Sequence, residues 1–161
     1  SIYFQENFEH IPSGLFPFVK GEAGGANDPR VHLAEKHSPY TQKGWDKKKV
    51  DDVLNGNWSL KLHEDAIGLI IQTIPQNLRF EPNKKYKVSF KYQTESDGYS
   101  FVLGNNTNIL FENKVNQVLD TKLFEFVFTA SSSGNSWFGI KKTNNDTSDF
   151  ILDDLTIIEL E

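Results

Sequence analysis

The run Phe150-Ile151-Leu152-Asp153-Asp154-Leu155-Thr156-Ile157 puts a carboxylate where a strand should be apolar. Counted by two, Asp153 shares a face with Ile151, Leu155 and Ile157, and a carboxylate taken out of water needs a hydrogen-bonding partner, a cation or a metal. At the other end of the chain, Asn7-Phe8-Glu9 sets a second carboxylate beside a core-type aromatic. Acids from the first and last strands, joined by carbonyl oxygens from a turn such as Gly56-Asn57, would make a hard oxygen cage. Such a cage suits Ca²⁺, which takes about six to eight oxygen ligands in flexible geometry. The competing reading leaves Asp153 at the rim of a sheet, where it caps a turn or meets a lysine. Either Asp153 or Asp154 would serve as the ligand.

Other residues with chemical potential are less specific. His32 and His37 bracket His32-Leu33-Ala34-Glu35-Lys36-His37, a spacing unlike the H-E-x-x-H zinc helix, and the chain has no Cys to complete a zinc site. With His10 and His63 far away in sequence, these imidazoles are expected to hydrogen-bond loop backbone. There is no G-x-S-x-G, no Walker loop and no G-x-G-x-x-G, and Gly24-Gly25 lacks a following Lys-Ser/Thr. Acids are plentiful, but no pair stands out for glycoside hydrolysis, so no catalytic residue is assigned. Trp45 lies in Gln42-Lys43-Gly44-Trp45-Asp46-Lys47, outside any apolar pattern. A ring held there offers a flat apolar face to a sugar beside amide and carboxylate groups, or else folds back over the edge of the protein. Trp58, in phase with Leu60 and Leu62, belongs to the core. Trp137 follows the turn Ser133-Gly134-Asn135-Ser136 and is placed at a strand end.

Strands must position these groups. Tyr86-Lys87-Val88-Ser89-Phe90-Lys91-Tyr92 and Phe124-Glu125-Phe126-Val127-Phe128-Thr129 alternate large apolar with polar residues, the period of a strand with one buried face. Shorter strands are expected at 2–8, 58–62, 69–74, 99–103, 109–112, 137–141 and 150–160, with Asn, Gly, Asp, Pro and Ser between them. Many short strands and no long helical period predict an all-β antiparallel β-sandwich or jelly roll. The stretch from Gly21 to Asn57 reads as a long ordered loop, with one or two helical turns over Val31 to Lys36.

Composition bounds the rest. The chain has 161 residues, 13% of them aromatic, a net charge of −5 and neither Cys nor Met. One domain spanning 1–161 is expected, burying roughly 68–70% of its unfolded surface. Disulfides and thiolate chemistry are excluded, and the acidic balance argues against nucleic acid. No apolar run reaches the ~20 residues of a membrane helix, and no signal peptide is visible. The missing Met reads as a segment of a longer polypeptide. Asn57-Trp58-Ser59, Asn105-Asn106-Thr107 and Asn145-Asp146-Thr147 match the glycosylation triplet and are read as chance in Asn-rich sequence.

The run from Arg30 to Trp45, RVHLAEKHSPYTQKGW, followed by VDDVLNGNWSLK over 50–61 and by QTIPQNLRFEP over 72–82, resembles a module of bacterial endo-α-N-acetylgalactosaminidases. The resemblance continues through Tyr86 to Gln93 and implies a non-catalytic, galactose-binding-like sandwich. The parent would be a large secreted or cell-surface glycosidase that removes a galactose/N-acetylgalactosamine disaccharide from mucin-type glycoproteins. More distantly, Asn7-Phe8-Glu9, Gly56 to Lys61 and Ile151 to Leu155 resemble the calcium-linked segments of carbohydrate-binding sandwiches. That resemblance implies Glu9 and Asp153 as side-chain ligands, with carbonyls near Asn7 and Asn57. Glycan contact would fall to Trp45, Tyr40, His37 and Asp46, with Trp137 as a further candidate. The expected partners are mucin-type carbohydrate and the parent's other domains, with the module itself a monomer. The alternative is a structural spacer that packs on the catalytic domain without binding glycan.

Overall fold

The computed structural model describes residues 2–10, 18–19, 31–35, 52–73, 78–131 and 134–160. In chain order its strands are β1 (Ile2–Glu6), β2 (Phe18–Val19), β3 (Val31–Glu35), β4 (Trp58–His63), β5 (Gly68–Thr73) and β6 (Arg79–Phe80). They continue with β7 (Lys85–Thr94), β8 (Tyr99–Asn105), β9 (Asn108–Val115), β10 (Val118–Thr129), β11 (Gly134–Lys142) and β12 (Asp149–Leu160). One sheet runs β10-β7-β12-β4-β3, with β1 also paired to β12; the other runs β2-β5-β11-β8-β9, with β6 also paired to β11. All these pairings are antiparallel.

The expected sandwich follows from the alternation. In β7, Tyr86, Val88, Phe90 and Tyr92 are buried while the lysines between them face out. Across the core they meet the second sheet ring on ring, as in Phe90 with Phe138 at 5.6 Å and Tyr99 with Phe150 at 5.0 Å. At the open side of the sandwich Phe111 of β9 touches Phe126 and Phe128 of β10, each at 5.4 Å, so aromatic rings close the rim. Such pairs contribute about 0.5–1.5 kcal/mol each beyond the area they bury.

Three expectations are corrected. Val31 to Glu35 is not helical: it is strand β3, paired to β4 with Val31 opposite Leu62 and Leu33 opposite Leu60. Its alternation of Val31 and Leu33 matches the buried face of β4, and that pairing outweighs the helix-favouring Ala and Glu. The far face of β4 is buried as well. Ser59 and Lys61 are buried, with the Lys61 ammonium 2.8 Å from Asp52 and 3.4 Å from Asp149, while His63 also contacts Asp149. Trp58, expected in the core, is half-buried and packs against it.

The third correction concerns Asp153. Pairing of β12 with β7 shifts between Asp153, opposite Lys91, and Thr156, opposite Ser89, so β12 carries one extra residue. Asp154 has φ +48, the left-handed conformation that Asp tolerates better than most residues. This bulge reverses the phase: Leu155 and Ile157 point into the core, whereas Asp153 points to the outer face with Ile151. Asp153 is nevertheless fully buried, because the turn preceding β4 covers that face.

Candidate functional site

Sequence-predicted residues lie at two places, and one of them brings several together. The first is that turn, residues 54–59, where both acids converge. After β1, Phe8 adopts φ +66 and its N–H donates to Glu6 Oε2 at 2.7 Å, while the Glu9 N–H donates to Asn7 Oδ1 at 3.1 Å. This tight reversal aims the Glu9 carboxylate at the turn, where it accepts from Asn57 N at 2.9 Å and Trp58 N at 3.0 Å. Gly56, at φ +68, lies against it: a Cβ there would stand 2.7 Å from the carboxylate atoms of Glu9.

Asp153 reaches the same turn from the last strand. Its Oδ2 accepts from the Ser59 hydroxyl at 2.6 Å and Asn55 N at 3.2 Å, and its Oδ1 accepts from Asp154 N at 2.8 Å. Burial pushes its pKa up to about 7 against the pull of these donors, and the Asp154 charge adds to the rise. Asp154 is the more accessible acid. It accepts from Asn55 Nδ2 at 2.8 Å and pairs with Lys91 at 3.1 Å. Capping of a turn, one of the two roles open for Asp153 from sequence, is thus visible in the structure. Among the described residues no three of His, Asp and Glu gather as a metal cluster. At this corner two carboxylates accept from one hydroxyl and from four backbone N–H groups, so the hydrogen bonds shown there satisfy both acids.

The second place is the outer face of the β5-β11-β8-β9 part of the other sheet. Trp137 lies inside β11 and not at a strand end, because β11 begins at Gly134 and pairs there with β6. It alternates outward from the buried Phe138 and Ile140, opposite Gly104 of β8. A Cβ on Gly104 would fall 2.0 Å from the indole, so the missing side chain lets the ring lie down on the sheet. The indole N–H donates to the Asn106 carbonyl at 2.9 Å, which fixes the ring's orientation.

Beside this ring opens a pocket of about 490 Å³. Leu69, Val102 and Ile109 supply apolar walls, and Gln72, Asn106 and Thr107 supply amides and a hydroxyl. Lys141 completes the lining, its ammonium 3.0 Å from Glu112. Sequence reasoning missed these residues except Trp137. The available signal was the alternation Trp137-Phe138-Gly139-Ile140-Lys141, which puts an aromatic, a glycine and a lysine on one face. Trp45, Tyr40, His37 and Asp46, the remaining candidates for glycan contact, lie outside the described residues.

The chain is 36% identical over 161 residues to a Renibacterium salmoninarum protein assigned as an endo-alpha-N-acetylgalactosaminidase; the match covers 96% of the chain but 11% of that protein. The chain therefore spans about a tenth of this relative's length. Among solved structures, it superposes on the CBM22-1 xylan-binding domain of Paenibacillus barcinonensis Xyn10C with a TM-score of 0.61 at 13% identity, covering 100% of this chain and 96% of that one. It also superposes on TmCBM61, solved with β-1,4-galactotriose, with a TM-score of 0.54 at 13% identity, covering 96% and 99% of the two chains. These two likenesses show a shared fold. Because the galactose-binding domain-like family matches residues 1–151, nearly the whole of the sandwich described above, the chain belongs to that family.

Proposed function

We propose that this domain is a non-catalytic carbohydrate-binding module of a larger, extracellular glycosidase acting on mucin-type O-glycans, and that it takes glycan on the outer face of β5, β11, β8 and β9. The observation that carries the reading is the pocket beside Trp137. Aliphatic walls, an immobilised indole and a few amide and hydroxyl groups match a sugar's mixture of C–H faces and hydroxyls. Glycan identity within the galactose and N-acetylgalactosamine class, and the extracellular setting, rest on the 36% identical relative. The test is calorimetric titration with such sugars and with mucin O-glycans. Gln72→Ala with Thr107→Ala should weaken binding roughly tenfold, since each removes one net hydrogen bond of about 0.5–1.5 kcal/mol. Equal affinity in wild type and the double variant would place the ligand elsewhere. The module should leave aryl glycosides uncleaved.

A structural calcium ion belongs to the same proposal. Glu9 and Asp153 would supply carboxylate oxygens, with carbonyls near Asn7 and Asn57 completing the set. Support comes from the convergence of both acids on residues 55–59. Bound there, the ion would tie the first strand, the turn and the last strand together, which is a stabilising role. The spacer alternative is favoured by one fact, that the relative is about nine times longer than the match. It predicts that Trp45→Ala harms the stability of the full-length enzyme and leaves glycan binding by the module untouched.

A further inference from the structure

Trp137 and Lys141 stand at the two ends of the pocket. They project from β11 on the same face, two alternations apart, so their Cα atoms lie about 13 Å from one another, a span longer than one sugar ring. Gly139 puts no side chain between them, and a Cβ there would fall 2.8 Å from the Ile71 carbonyl and 3.1 Å from the indole.

Among the described residues the lining holds one charge, the Lys141 ammonium. Its counter-charge on Glu112 lies 3.0 Å away but outside the lining, and the two side chains are 29% and 36% exposed. An ion pair that open to water contributes little, so a second anion joins it or displaces Glu112 at small cost. The neighbouring strands add to this end of the pocket. Ser100 of β8 stands opposite Lys141 of β11 on one side and opposite Lys114 of β9 on the other. The β8 pairings are regular at these positions, so Lys114 faces outward in the same row as Lys141. Lys114 is exposed, and among the described residues it makes no ion pair. Two ammonium groups against one carboxylate leave this end locally positive on a chain whose net charge is −5.

Resting on the reading of the pocket as a glycan site, we propose that its ligand is an acidic glycan. One sugar lies at the Trp137 end, and a neighbouring sugar brings a carboxylate or a sulfate ester to the Lys141 ammonium, with Lys114 adding to the attraction. The carboxylate of a sialic acid and a sulfate ester share the chemistry the site calls for: one negative charge spread over several acceptor oxygens, met by the three donors of an ammonium. A neutral sugar makes no use of this charge and leaves Lys141 to Glu112 and water.

The test is calorimetric titration of the chain with a neutral galactose/N-acetylgalactosamine disaccharide, its sialylated derivative and its sulfated derivative. At low ionic strength at least one acidic derivative should bind roughly tenfold tighter than the neutral parent, and the one that does identifies the anion. Salt at about 0.5 M should shrink that ratio, because exposed charges are screened. Lys141→Gln should remove the difference between acidic and neutral ligands, Lys114→Gln should reduce it and Glu112→Gln should widen it. Binding of the neutral parent with equal or weaker binding of both acidic derivatives overturns the proposal and leaves the carbohydrate reading standing, as does an acidic advantage that survives Lys141→Gln. Binding of none of the three overturns both.

Discussion

At Gly56 the side chain that is missing does the positioning. A methyl group there would stand 2.7 Å from the Glu9 carboxylate, at a φ of +68 that disfavours any L residue. Gly56→Ala should therefore destabilise the fold by about 1–3 kcal/mol in urea denaturation, more than a typical surface substitution. Ser59 is the other hinge of this corner. Its hydroxyl donates to Asp153 and accepts from Leu54 N at 2.9 Å. Ser59→Ala removes a donor from a fully buried carboxylate and should cost about 1–3 kcal/mol by the same measurement. Asp153 stood out in the sequence because an acid among large apolar residues violates the strand pattern, and Glu9 because it follows the core aromatic Phe8. The face that Asp153 occupies was not legible there, because a single left-handed residue reverses the alternation and Asp154 gives no sign that it adopts that conformation.

The elements show the same division. β7 and β10 declare themselves through long alternation, whereas β3 is five residues of mixed propensity whose identity depends on its pairing with β4. Lys142, at the end of β11, shows how a loop can be organised around one charge. Its fully buried ammonium lies 3.1 Å and 2.8 Å from the carbonyl and side-chain oxygens of Asn144, and 2.7 Å and 2.8 Å from those of Asp146. Burial would raise the pKa of Asp146, but Lys142 and the Ser96 hydroxyl outweigh it and bring the carboxyl down to about 2. The sign follows directly. A carboxylate depressed by folding contributes stability above its unfolded value near 3.8 and loses it as pH falls through about 2. The stability difference between wild type and Asp146→Asn should thus be constant at neutral pH and close between pH 4 and about 2 in thermal melts. A difference independent of pH would mean that the contact is not ionic.

At the scale of the whole molecule, the two sheets divide the work. One anchors the chain's beginning, its turn at 54–59 and its last strand, and the other presents the pocket. If the anchor holds calcium, a chelator should lower the melting temperature by about 5–10 °C, the shift expected when a ligand near 100 times its dissociation constant is removed from a domain of this size. Restored stability on adding Ca²⁺, and loss of that response in Glu9→Gln, would locate the ion; a melting curve indifferent to chelation would remove it. The sandwich itself was readable in the period of its strands and the spacing of its turns. The pocket was not, because its walls come from β5, β8, β9 and β11, which only the sheet order brings side by side.

The central claim, that the outer face around Trp137 binds carbohydrate, is tested most directly by titrating this chain with galactose- and N-acetylgalactosamine-containing glycans while following Trp137 fluorescence. Trp45→Phe and Trp58→Phe in the same chain leave Trp137 as the reporter. Saturable binding at or below millimolar concentration, with the spectral titration moved to roughly tenfold higher glycan concentration by Gln72→Ala plus Thr107→Ala, is the predicted result. A folded protein that binds none of these glycans at millimolar concentration would contradict the claim.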